Sequence, residues 1–281
     1  MNLTAYFERT YLPRLTAKGV KEATIADYQS IVKSAPQEPT SENVVGWLAG
    51  MKSSSAATRN RHRRYLLAVL RDARKKGLFG DWIEDVPKAY ESEVLPRAWT
   101  VAEFSRLLAA CDTVDESYVG IRAPAWWRSF LLALWYTGLR VNSLLPALCE
   151  NLDLGAGTLV ITSSKDRKQI LYVLPDDACQ AVRLIIGQRR HIWPWPYSDR
   201  KKTTLRRIRA IIAAAELPQL SKPFHAIRRS VASYVAAKDG VSTACDFLDH
   251  CRTEITRKWY LDPRIAVTPR RGGQSMPKPC M

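Results

Sequence analysis

The chain has 281 residues, 46% of them hydrophobic, enough to fill one large core or two modest ones. Lysine and arginine number 43 against 27 acids, a formal net charge of +16 that points to a polyanionic partner, because each neutralised phosphate releases condensed counterions. No apolar run reaches the length of a membrane-spanning helix and MNLTAYFERTYLPR lacks the apolar core of a signal peptide, so no membrane partner is expected and the expected location is the cytoplasm, at the nucleoid.

In chain order, the first part reads as short helices. ATIADYQSIVKSA carries apolar residues at helical spacing, and SENVVGWLAGM follows as a second helix with Ser41 as its N-cap. In SSSAATRNRHRRYLLAVLRDARKKGLF, Ser55 is the expected cap. Leu66, Val69, Leu70 and Ala73 form the buried stripe, and Gly77 supplies the left-handed end. A charged helix face is usually just solvated. Here the sign is unbalanced, with Asp72 the only acid between Arg59 and Lys76, so Arg59, Arg63, Arg64 and Arg71 are candidate phosphate contacts. The stretch 86–98, VPKAYESEVLPRA, has two prolines, mixed charge and no periodicity, and its 88–97 portion is read as a linker. Thr100 and Glu103 then open a helix with a capping box. RSFLLALWYTGLRVNSLLPAL is an apolar helix, a break at Gly138 and a second helix ended by Pro146. TLVITSSKDRKQILYVLP reads as a hairpin around a charged tip. A loop with Trp193 and Trp195 between prolines, expected to pack at the surface, leads to a basic helix. Its Lys201, Lys202, Arg206 and Arg207 are further candidate phosphate contacts. FHAIRRSVASYVAAKDG and VSTACDFLDH are helices, and the composition after Pro263 suggests a loosely ordered tail.

Four separated pieces carry groups suited to phosphoryl transfer: Arg140 in YTGLR, Lys165 at the hairpin tip, His225 and Arg228 one turn apart in HxxR, and His250 with Tyr260. Two guanidinium forks suit the charge that builds on non-bridging oxygens. A tyrosine, with a reference pKa of about 10, needs a base or cations beside it before it attacks phosphorus. Histidines handle its proton, and a lysine on a hairpin can protonate the leaving oxygen, with Lys168 an alternative to Lys165. No acidic cluster offers a metal site. The six cysteines (Cys111, Cys149, Cys179, Cys245, Cys251, Cys280) lack CxxC pairing and read as reduced thiols, while His62 and His191 read as structural or phosphate-facing.

YTGLR, the hairpin lysine, HxxR, the LDH triplet and the terminal KWY together resemble the tyrosine recombinase (phage integrase) family, over nearly the whole chain. The resemblance implies a mainly α fold with a small β-sheet or hairpin. It implies a helical DNA-clamping domain at 1–87, a mixed α/β catalytic domain at 98–263 and a basic tail at 264–281. It makes Arg140 and Arg228 phosphate clamps, Lys165 the general acid, His225 and His250 a proton-handling pair, and Tyr260 the nucleophile of a 3′-phosphotyrosyl intermediate in site-specific recombination of double-stranded DNA. A homo-oligomer on DNA, a tetramer, is implied as partner, with neither cofactor nor metal. Asp249 stands where the family has glycine, Ser143 where it often has an acid, and Pro146 is unusual in that helix. Two alternatives stay open: a catalytically silent DNA-binding regulator of recombinase descent, and a relaxing topoisomerase of the IB kind. Trp259 is expected to anchor the nucleophile's helix in the core.

Overall fold

The computed structural model describes residues 2–92, 95–162, 168–249 and 253–266, without the side chains of Arg200 and Lys201. The chain divides into two packing units, Met1–Glu93 and Val94–Met281.

In the first unit, α1 (Leu3–Tyr6), a π-helical turn (Phe7–Tyr11) and α2 (Leu12–Ala17) run on from one another. They are followed by α3 (Glu22–Ser34), α4 (Ser41–Gly50) and α5 (Ala56–Arg74). The N-cap of α4 is Thr40, one residue before the expected Ser41. Thr40 Oγ1 accepts from the Asn43 N–H at 3.3 Å and Asn43 Oδ1 accepts from the Thr40 N–H at 2.8 Å. This reciprocal box needs its two members three residues apart. On α5 the stripe Leu66, Val69, Leu70 and Ala73 is buried as its spacing predicts, with Leu67 beside it. Asp72 accepts from Tyr6 Oη at 2.6 Å and from Arg14 at 2.8 Å, so the acid within the basic run fastens the N-terminal helices. Asn60 exchanges two 2.8 Å bonds with the backbone of Ala89, and Arg63 donates to the Val86 carbonyl at 2.8 and 2.6 Å. The start of the proline-containing stretch is therefore strapped to α5 instead of hanging free.

The second unit opens with α6 (Val101–Ala109), capped by Thr100 and Glu103 as read from the sequence. A small hairpin of β1 (Ser117–Tyr118) and β2 (Ile121–Arg122) leads into α7 (Ala123–Thr137). Helix α7 is apolar on every side and runs through the core: Trp126, Trp127, Phe130, Leu131 and Leu134 are all buried. Both indole N–H groups on α7 find acceptors, Trp126 at the Pro194 carbonyl (3.0 Å) and Trp127 at Tyr118 Oη (3.2 Å). Trp193 donates to Ser129 Oγ at 3.0 Å and is a core residue, not the surface packing expected from its proline-rich surroundings. Trp195 joins the same aromatic cluster, 5.1 Å from the Trp126 ring.

After α7 come α8 (Val141–Leu144) and the antiparallel sheet β3 (Leu152–Asp153), β4 (Thr158–Thr162), β5 (Gln169–Val173). The pairing runs from Thr158 opposite Val173 to Thr162 opposite Gln169. Leu159, Ile161 and Tyr172 therefore face the core while Leu171 and Val173 face solvent. The first strand is short and went unread. Helices α9 (Asp176–Arg183), α10 (Arg200–Ala214), α11 (Pro223–Asp239), α12 (Val241–Phe247) and α13 (Thr253–Trp259) complete the unit. No helix among the described residues is long and apolar enough to cross a membrane.

Gly138 closes α7 at φ 61°, and a Cβ there would stand 3.0 Å from Leu248 Cδ2 and 3.1 Å from Val231 Cγ1. Left-handed backbone and close approach both demand glycine. Gly138→Ala is expected to lower unfolding free energy by about 2 kcal/mol, read from the midpoint of a urea titration at unchanged slope.

Candidate active site

The glycine turn does more than stop a helix. It swings Leu139 into the core and leaves Arg140, the N-cap of α8, exposed with an extended backbone. Among the described residues its guanidinium makes no hydrogen bond or ion pair. Arg228 is the opposite case: it lies on the inner face of α11 and is only 4% exposed. Nη1 donates to the Gly138 carbonyl and Nη2 to the Leu248 carbonyl, each at 2.6 Å. One side chain thus ties the end of α7 to the end of α12. Its guanidinium carbon stands 5.6 Å from the Tyr260 ring centroid.

Arg140 and Arg228 line one pocket of about 30 Å³, room for a water or two, with Ser143, Tyr172 and Asp249 among its other walls. Burial pulls the Arg228 pKa below the ordinary guanidinium range and Arg140 adds to the pull. Tyr260 opposes it by charge and by a side-chain hydrogen bond. Arginine stays ionised at any working pH, so this is a pressure toward an anion rather than toward proton loss. Tyr172, buried in β5, is raised above the usual phenol value, by burial first; Arg228 and Arg140 oppose the shift and Asp249 adds to it. Two of the three positions where the chain departs from the resemblance, Ser143 and Asp249, therefore sit on the same pocket. Asp249 takes φ 52°, the left-handed geometry a glycine adopts at no cost.

His225 lies one turn before Arg228, near the N-terminus of α11. Its side chain reaches solvent. Burial by the protein on its inner side and then the cations Lys222, Arg229, Arg228 and Arg140 push its pKa from 6.5 down to about 4. At neutral pH the imidazole is uncharged and able to accept a proton.

Tyr260 follows the last turn of α13, its N–H bonded to the Thr256 carbonyl at 3.0 Å. The following residues fix its position. Ser233 Oγ donates to the Tyr260 carbonyl at 3.3 Å and accepts from the Asp262 N–H at 2.8 Å. The Asp262 carboxylate, almost wholly buried, accepts from the Ala98 N–H at 2.8 Å and from Arg264. Arg229 donates to the Trp259 carbonyl at 3.0 Å. The indole of Trp259 is 49% exposed, so the expected core anchor is absent. Thr256, Leu261 and Asp262 are buried instead and hold the segment. Arg229, Ser233 and Asp262 were not singled out in the sequence, since single polar residues next to a motif give no periodic signal.

The structure thus brings together Arg140, His225, Arg228 and Tyr260. Lys165 and His250 lie outside the described residues; Lys168 is exposed where β5 begins. Of the candidate phosphate contacts, Arg63 is bound to Val86, Arg71 grips Glu84 at 2.9 and 2.6 Å, and Arg207 pairs with Glu116 at 2.6 Å. Arg64, Lys202 and Arg206 are exposed and Arg59 half-buried. The Lys201 side chain is not among those described. His62 and His191 bond to the carbonyls of Thr58 and Pro146 and lie apart from the pocket. Cys111, Cys149, Cys179 and Cys245 are free thiols. Among the described residues no group of three His, Cys, Asp or Glu side chains could hold a metal.

The sequence and the fold match known proteins. The sequence model of the Phage integrase family covers residues 98–265. Lambda integrase (residues 75–356), solved as a dimer bound to a COC′ core site, is 21% identical over 91% of this chain and 97% of its own, with a TM-score of 0.70. The lambda integrase tetramer bound to a Holliday junction gives 21% identity, 94% and 78% coverage and a TM-score of 0.72. The integrase of transposon Tn1549 with circular intermediate DNA gives 16%, 92% and 95%, and 0.69. No curated protein matches the sequence. The fold and the family match are those of a DNA strand-transfer protein of the tyrosine recombinase class. The chain belongs to the phage integrase family, and is a site-specific DNA recombinase.

The depressed His225 pKa makes a signed prediction. The unfolded chain takes up this proton first as pH falls, so His225 withdraws stability between about pH 6.5 and pH 4 and has no such effect above that window. His225→Gln is expected to flatten the stability loss across that window. The wild-type His225 ring resonance in an NMR titration is expected to move with a midpoint near 4.

Proposed function

We propose that Tyr260 is the nucleophile of this recombinase, with Arg140 and Arg228 as the clamp on the scissile phosphate. The observation that carries the reading is the Arg228 guanidinium held over the Tyr260 ring, with Arg140 opening onto the same pocket. The phenol oxygen attacks phosphorus and the bond to the 5′-oxygen breaks. The product is a 3′-phosphotyrosyl bond and a free 5′-hydroxyl. Attack by the 5′-hydroxyl of another strand reverses the chemistry and releases Tyr260, so bond energy is retained and no nucleotide is hydrolysed. Neutral His225 accepts the phenol proton or donates to a non-bridging oxygen, sharing proton handling with His250. Lys165 at the hairpin tip supplies the proton to the leaving oxygen.

The arginines divide the labour. Arg228 is locked by two carbonyls and so is already in place before DNA arrives, which is the property that makes an electrostatic group effective in a transition state. Arg140 is exposed and closes on the phosphate from the other side. Arg140, which makes no hydrogen bond or ion pair among the described residues, gains its anionic partner in the phosphate. Phosphate contacts along the duplex are assigned to Arg59, Arg64, Lys202 and Arg206, with Lys201. Arg63, Arg71 and Arg207 take part only by exchanging their internal acceptors for phosphate. Joining two duplexes needs several protomers, a tetramer on DNA, as in the lambda integrase complex. A chromosomal substrate places the enzyme in the cytoplasm at the nucleoid.

A nicked suicide duplex carrying the attachment site tests this. Wild type is expected to form a covalent DNA adduct on a denaturing gel, and Tyr260→Phe none. Absence of adduct in wild type would support a silent DNA-binding regulator instead. Arg140→Ala is expected to slow adduct formation by about 10²–10³-fold with stability unchanged, as for loss of one transition-state donor. Arg228→Ala is expected to lose the same rate and about 2–4 kcal/mol of stability besides, because two buried carbonyls lose their donor.

A further inference from the structure

The helix that ends at the nucleophile shows an exposed apolar stripe. Ile255, Lys258 and Trp259 stand at positions i, i+3 and i+4 of α13 and therefore share a face. Trp259 is 49% exposed and Ile255 36%. An indole offers more apolar area than any other side chain, and leaving it wet is unfavourable unless a partner covers it. The backbone that carries it is anchored, because the Trp259 carbonyl accepts from Arg229 Nε at 3.0 Å. A cation borders the ring: the Lys258 ammonium is 5.4 Å from its centroid.

An aromatic face bordered by a cation fits a ligand that is flat, apolar on its faces and anionic at its edge. A nucleotide has that chemistry: a base to stack on and a phosphate to pair with lysine. A second copy of this chain fits less well, since each copy carries a formal +16 and would bring cations to cations. Adjacency to Tyr260 narrows the choice of nucleotide. The two residues are consecutive, their Cα atoms about 3.8 Å apart, so a ligand on Trp259 lies near the scissile phosphate even though the two side chains leave the helix in different directions.

We propose that Trp259 stacks on the base of the nucleotide adjoining the scissile phosphate, which loses its pair when strands exchange, and so seats Tyr260 against phosphorus. The inference rests on Tyr260 being the nucleophile. The contact is a specificity device of the modest, stacking kind: it senses that a base is present and freed, not which base it is. It also gives Lys258 a phosphate to pair with at the same step.

The test crosses Trp259→Ala and Trp259→Phe with duplexes carrying an abasic site at each position flanking the nick. In single-turnover adduct formation, one abasic position is expected to slow wild type by about tenfold and to leave Trp259→Ala, already slower by a similar factor, unchanged. Trp259→Phe is expected to fall between. A second arm measures equilibrium binding of Tyr260→Phe, with and without Trp259→Ala, to the same duplexes. It reads the stacking contact even where no adduct forms, so failure of the nucleophile assignment shows as absent adduct with coupled binding. The inference is overturned where no abasic position couples to Trp259 in binding. It is equally overturned where Trp259→Ala lowers the thermal midpoint as a core deletion would, or where it reduces the number of protomers per duplex in sedimentation without abasic coupling.

Discussion

A buried guanidinium organises this site. Arg228 is desolvated on α11 and donates to two carbonyls that end two other helices, Gly138 after α7 and Leu248 after α12. Taking a cation out of water costs several kcal/mol, and the carbonyls it meets offset part of that cost. Arg140 nearby raises the cost further. Two guanidinium groups thus line one small pocket. The same bonds that fix the helix ends aim that charge.

The consequences spread from there. Gly138 must be glycine because its backbone is left-handed and a Cβ there would press on Leu248 and Val231. Leu139 turns inward, so Arg140 is turned outward. The depressed His225 pKa follows from burial first and then from the same crowding of cations, which together keep the imidazole neutral. Downstream of Tyr260, Ser233 and the buried carboxylate of Asp262 hold the chain, so the position of Tyr260 is fixed by its backbone rather than by its neighbouring indole.

Asp249 and Ser143 show how a family pattern can bend without losing its groups. Both line the pocket shared by the arginines. The carboxylate that the resemblance places near residue 143 is missing, while a carboxylate stands at 249 in left-handed backbone. Aspartate tolerates that geometry better than most residues, so its presence there strains the fold little.

Local signals in the sequence determined much of this. The capping box at Thr100, the break at Gly138, the stripe on α5 and the β4–β5 hairpin are short-range, and near neighbours suffice to specify them. The motif residues Arg140, His225, Arg228 and Tyr260 were legible because their types and order carry a chemistry. What needed the tertiary structure was every question of facing. Residue spacing says that Arg63, Arg71 and Arg207 lie on basic helices, but only folding shows that Val86, Glu84 and Glu116 already engage them. Spacing likewise leaves open whether Trp193 and Trp259 are inside or outside. Folding puts the proline-flanked one in the core and the one beside Tyr260 in solvent, because burial depends on which distant surfaces meet, and no local pattern encodes that.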